Sequence, residues 1–253
     1  MTTQTATAPH SNGDADRRAA RATGPAPFRR SRRLRTTAPA VAGIAYALAW
    51  VTGLAVWPSN LDVTASGAKV MSAYTGHQGV ATAQYLLVEG AAAIALAVVA
   101  VALARAAGRR GAGRAGTVVA LAGGSAALIS LIQCALGLAL VGGAVPHGET
   151  ARAGSLFDLI NRLDGAKMLV LAAMALAGAA VVCRADLKPR WLRYNAVLLA
   201  ASLSASGVGY LLLDNALAQA AAVSLPLLLV WVAATGVTLG QTSGSDRRCH
   251  ARV

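Results

Sequence analysis

Five side chains with usable chemistry stand inside or beside long apolar stretches of this 253-residue chain: Glu89, Gln133, Asp164, Lys167 and Asp214. Glu89 is the sole charge in "AQYLLVEGAAAIALAVVAVALA", which runs from Ala83 to Ala104. A bare charge in hydrocarbon is costly, so a carboxylate there either works on a proton or ion path or is paired. Lys167 and Arg162 carry the opposite charge for a pair, and unpaired Lys167 would snorkel to the headgroups. The functional version of the cluster is an outward-facing polar pocket of all five residues, roofed by loops.

His77 and His147, with Asp62 and Glu149 in the same connecting segments, are weak metal-ligand candidates, because their spacing fits no recognised ligand motif. No His falls within an apolar run, which excludes axial haem ligation from inside a membrane. The chain has no GxSxG, HExxH or P-loop, so no catalytic residue and no cofactor is expected. Cys134, Cys183 and Cys249 make no CxxC pair, and the topology below sets them too far apart for a disulfide.

The elements that position these residues follow from hydropathy. The chain is 56% hydrophobic and 13% charged; a soluble domain carries about 25% charged residues. Six apolar segments, 38–57, 80–104, 115–143, 166–183, 194–213 and 219–240, are each near the length that crosses a hydrocarbon core of about 30 Å. The third is over-long, and the fourth is short unless it begins near Leu163. The expected fold is all-α, a six-transmembrane-helix bundle over 38–240. A disordered basic arm (1–37) precedes it and a cytoplasmic tail (241–253) follows. Within the arm, "SRRLR" reads better as the basic flank of a signal anchor than as a twin-arginine signal.

Charge sets the expected orientation. Of 23 Lys and Arg, all but Lys69, Arg152, Arg162 and Lys167 lie in the arm, at 105–114, at 184–193 or in the tail. The positive-inside rule then makes both termini cytoplasmic. The net charge of +13 is explained by that asymmetry rather than by nucleic-acid binding. Of the three outward connections, 58–79 has room for a short interfacial helix. In 142–165, Leu156, Phe157, Leu159, Ile160 and Leu163 suit an amphipathic one, while "DNALAQ" reads as a tight turn.

The basic blocks also measure depth. Glu89 is 16 residues before Arg105 and Lys167 is 17 before Arg184, which puts both roughly 24–25 Å above the inner face. Gln133, Asp164 and Asp214 come out at roughly 28–31 Å. The polar residues thus form a belt in the outer third, with no ionisable relay beneath it. Only Pro226 and "SASGVG" (Ser204 to Gly209) offer helix breaks through which a conducting path could continue. "VEGAAAIALA" and "LDGAKMLVLA" also echo one another, each setting acid–Gly–Ala at the outer start of an inbound span, as an internal duplication would.

With "PSNLDVTASG" and "NRLDGAKML" the chain resembles integral membrane proteins of high-GC actinobacteria for which no function is established. The resemblance implies a multi-pass protein of a bacterial plasma membrane and carries no site residue with it. Two readings stay open. One is a non-enzymatic accessory, regulatory or structural membrane protein, meeting a membrane-protein partner or a second copy of itself in the bilayer. The other is a small permease with an outward-facing pocket around Glu89. A membrane enzyme acting at the outer face is the weaker third.

Overall fold

The computed structural model describes residues 29–57, 61–184 and 190–250, with side chains over 38–57, 61–184 and 190–241. Residues 1–28 of the arm expected to be disordered lie outside the described residues, residues 29–37 of it are helical, and the side chains of "SRRLR" and of Cys249 lie outside those described. What is described is helical, with no strand. Six helices are long and apolar enough to cross a membrane: Ala38–Val56, Gln78–Arg109, Gly113–Ala144, Thr150–Arg184, Trp191–Leu212 and Asn215–Gln241. All six fall within one compact unit, Arg35–Val253.

In chain order, α1 (Arg29–Val56) supplies the first span and α2 (Gly67–Tyr74) lies in the first connection. The second span is built from α3 (Gln78–Tyr85), a π-helical turn (Leu86–Ala91) and α4 (Ala92–Arg109). The third is α5 (Gly113–Ala139), ending in a second π-helical turn (Leu140–Ala144). The fourth and fifth are α6 (Thr150–Arg184) and α7 (Trp191–Leu212). A single-turn α8 (Asn215–Ala218) leads into α9 (Ala221–His250).

The spans from α4 onward close a ring: α4 packs on α5, α5 on α6, α6 on α7, α7 on α9, and α9 back on α4. Small residues bring the backbones together, as membrane helix packing requires. A Cβ on Gly165 of α6 would stand 2.6 Å from the Gly207 carbonyl of α7, so only glycine allows that approach. The first span sits outside the ring. A Cβ on Gly43 would meet the Val232 carbonyl of α9 at 2.9 Å, and one on Gly53 would strike the Val88 side chain of the second span. α1 therefore covers the seam between the second and sixth spans. It is also the most exposed span, 22% buried over its most apolar stretch against 50% for the second and fourth.

The two ends of the bundle differ. One end, the basic end, carries Arg105, Arg109, Arg114, Arg184, Arg190 and Arg193. The other, the capped end, carries α2 and the long connections. It has a hydrophobic core of its own, in which Val70 and Tyr74 of α2 pack against Leu140, Val141, Ala153 and Phe157. α6 explains how this cap is held. At 35 residues it runs unbroken through the stretch expected to be a loop and a separate interfacial helix, spanning about 52 Å at 1.5 Å per residue. Its first turns project past any hydrocarbon core and bury Ala153 and Phe157 under α2. The apolar spacing of Leu156 to Leu163 thus serves a packed helix rather than one lying on the membrane.

Polar bonds knit the remaining connections. Asn215 accepts from the Val63 N–H at 3.1 Å and donates to Thr64 Oγ1 at 3.1 Å. Gln84 donates to the Trp57 carbonyl at 3.1 Å. The tight turn expected at "DNALAQ" is the short α8, whose first N–H groups are capped by Asp214.

Candidate functional site

The site begins with a helical irregularity. A π-helical turn fits an extra residue into a helix and shifts the phase of the turns after it, and such turns recur at functional positions. Leu86–Ala91 is such a turn, and Glu89 lies inside it. Gly90 comes next, beside Cys134 of α5. On α6, Asp164 and Lys167 are three residues apart, which puts them on one face.

Lys167 is the hub. Its Nζ lies 3.0 and 2.9 Å from the two Glu89 carboxylate oxygens and 2.7 Å from Asp164 Oδ1. An ammonium has three N–H donors, and these three acceptors occupy them. Lys167 is 4% exposed and Glu89 8%. Gln133 of α5 ties the third span into the same group, its amide donating to the Ile160 carbonyl at 3.1 Å and to Asp164 Oδ1 at 3.3 Å. Ser130, one turn away on α5, lies beside Glu89. Formally the cluster holds two negative charges and one positive. Two buried polar atoms near it have no hydrogen-bond partner, Gln133 Oε1 and Asn161 Nδ2.

Four of the five residues singled out in the sequence, Glu89, Gln133, Asp164 and Lys167, are therefore brought together. Asp214 stands apart: it is exposed, and its Oδ1 accepts from the Ala216 and Leu217 N–H groups at 2.9 and 3.1 Å. Arg162, the alternative partner for Glu89, donates instead to the Leu211 carbonyl at 3.2 Å.

The histidines are engaged separately. The His77 ring lies against Trp57, with centroids 4.9 Å apart, and its Nδ1 is 3.2 Å from the Thr75 carbonyl. His147 Nδ1 is 2.7 Å from the Gly143 carbonyl. Asp62 pairs with Lys69 and Glu149 with Arg152. Among the described residues no group of three or more His, Cys, Asp or Glu gathers as metal ligands would. Cys134 and Cys183 are free thiols.

Beside the cluster opens a cleft of about 240 Å³ lined by all six spans, among them Trp50, Leu96, Ser130, Lys167, Leu203 and Leu228. Asp164 and Lys167 form its charged wall, with the Tyr210 phenol and the Ser224 hydroxyl also in the lining. Leu54, which is 40% exposed on the bundle surface, marks where the cleft reaches the outside of α1. The sequence held one signal for this wall. Tyr46, Trp50 and Leu54 recur every four residues and so share one face of α1. Without a partner surface, that stripe could not be told from ordinary core packing.

At the capped end, Trp57 stacks near Tyr74 with centroids 6.1 Å apart, and the Tyr74 and Tyr85 hydroxyls are 3.3 Å from each other. Burial pushes the Tyr74 phenol above its ordinary ionisation range, against the smaller opposing effect of that hydrogen bond.

Toward the basic end the chemistry stops. Between the Glu89–Lys167 level and the basic residues, the described spans carry no Asp, Glu, His, Lys or Arg. Trp231 and Thr235 bring uncharged polar groups there, and both are buried without a partner for the indole N–H or the hydroxyl. Neither sequence candidate for a helix break makes one: α7 runs unbroken through Ser204–Gly209 and α9 through Pro226. Comparison of the chain with protein-family models, with curated proteins and with solved structures returned no match.

Proposed function

We propose that this six-span protein is a non-enzymatic accessory or regulatory protein of a bacterial plasma membrane, of the actinobacterial kind that its sequence resembles. It works through what its capped half binds and conducts no solute. In this reading both termini are cytoplasmic and the capped end faces outward, which the distribution of Lys and Arg supports. The partner is another membrane protein or a second copy of the chain, met in the bilayer or through the outward connections.

One observation carries the reading: every Lys167 donor is taken within the charged cluster, and in the described spans nothing ionisable continues it toward the basic end. A proton or ion path needs groups or broken helices across the whole membrane. Here the cleft is lined, away from the charges, by Leu96, Leu171, Leu203 and Leu228.

Reconstitution into liposomes with an imposed pH gradient tests this. The gradient should decay no faster than in protein-free liposomes. Faster decay that disappears in Glu89→Gln would establish the permease reading instead. Orientation has its own check, because Ser72 lies exposed on α2. A cysteine placed there by Ser72→Cys should react with an impermeant maleimide on intact cells; reaction only after lysis would reverse the topology.

A further inference from the structure

We infer that the cleft between α1 and the ring is a binding site for a lipophilic ammonium, a molecule with a primary or secondary amine head and an apolar tail. This deepens, and rests on, the reading of the capped half as a binding rather than a conducting element.

The head is identified by what the charged wall still lacks. The three acceptors around Lys167 take up its donors, so it has none to spare for an anion such as a lipid phosphate or carboxylate. The cluster is left with one formal negative charge in excess. Asp164 is the member best placed to use it: its side chain is 20% exposed, against 10% for Glu89 and 6% for Lys167, and it lines the cleft. Its Oδ1 receives both Lys167 and Gln133, so Oδ2 is the oxygen left to accept from a ligand N–H. Trp50, Tyr46 and Tyr210 add aromatic faces to the same cleft, and these attract cations where water is excluded.

The tail is identified by the rest of the lining. Leu96, Met168, Leu171, Leu203 and Leu228 make the deep wall apolar. At about 240 Å³ the space is smaller than the roughly 300–1,000 Å³ of drug-sized sites. It therefore holds the head and the first part of a chain, and a longer tail leaves past Leu54 at the bundle surface. Leu54, in the lining and 40% exposed, gives a ligand dissolved in the bilayer a sideways entry.

The test uses the purified full-length protein in a non-ionic detergent, titrated with octylammonium, octanol and octanoate, with unfolding temperature as the readout. Octylammonium should raise that temperature progressively with concentration, while the other two should not. Asp164→Asn should weaken the response about tenfold, the size expected for one charged hydrogen bond. Leu228→Trp, which fills the cleft without touching the charges, should abolish it; this second variant keeps the test decisive if Asp164→Asn fails to fold. An equal response to octanol or octanoate, or an undiminished response in folded Asp164→Asn and Leu228→Trp, would overturn the inference and leave the non-conducting reading intact. Passage of octylammonium across liposomes, driven by the protein, would do the reverse: it removes the non-conducting reading and leaves the site standing.

Discussion

The capped and basic halves of this bundle share close glycine packing, as at Gly165 and Gly178, and differ in what is added to it. In the basic half the spans meet through Ala, Gly and Leu, and the close approaches are steric. A Cβ on Gly178 of α6 would lie 2.6 Å from the buried Trp231 ring of α9. In the capped half the second, third and fourth spans are joined by charge and amide bonds, Glu89 to Lys167 and Gln133 to Asp164, with a π-helical turn where the carboxylate sits. The difference teaches where function can lie. Steric packing fills its own space, whereas the polar half keeps a cleft and an irregular helix beside its charges. A buried ion pair is also weak evidence of stability in itself, because desolvation offsets much of the attraction.

Four variants break or sharpen that contrast, each read by reversible unfolding in mixed micelles. Lys167→Met, which strands two carboxylates at least partly buried, should cost the most, about 3–5 kcal/mol. A loss below 1 kcal/mol would mean that the cluster holds nothing together. Gly178→Leu attacks the other half by overpacking against Trp231 and should cost about 1–3 kcal/mol. If it costs more than Lys167→Met, the basic half is the less yielding of the two.

Leu213→Gly should stabilise by about 1 kcal/mol. Leu213 ends α7 in the left-handed region, at φ 55°, which glycine adopts without the Cβ penalty. A loss instead would show that the partly buried Leu213 side chain anchors the turn before α8. Smallest of all should be the triple replacement Glu89→Gln, Asp164→Asn and Lys167→Met, which removes all three charges of the cluster. It should lie within about 1 kcal/mol of the wild type, since apolar or neutral replacement of a buried ion pair or triad is often neutral. A protein still destabilised as strongly as Lys167→Met would show that the cluster contributes more than its mutual neutralisation.

How much of the molecule is legible in the sequence varies element by element. The number of spans was readable because each needs about twenty apolar residues and the basic blocks punctuate them. Glu89 and Lys167 came out at one depth because a helix rises a fixed 1.5 Å per residue, and that common depth is what lets them meet. Their helices' rotation was a different matter. The π-helical turn at Leu86–Ala91 changes the phase of the second span, and a lone Glu–Gly step in an Ala/Leu helix does not announce it. The repeated acid–Gly–Ala gained a physical meaning: Glu89 and Asp164, one from each copy of the pattern, flank the same Lys167. Asp214 belongs to the same outer belt but ends in a helix cap, because depth says nothing about which face of the bundle a residue occupies.

The sequence by itself determined the class of protein and the level at which its polar residues lie. Both come from hydropathy and helical rise, which are local and additive along the chain. The tertiary structure decided which of those residues touch, that Lys167 is saturated by two carboxylates, and that all six spans enclose a cleft beside it. It also made the fourth span one 35-residue helix that carries the cap. Those outcomes depend on helix rotation and on close approach at particular glycines, which are set by contacts between segments far apart in the chain.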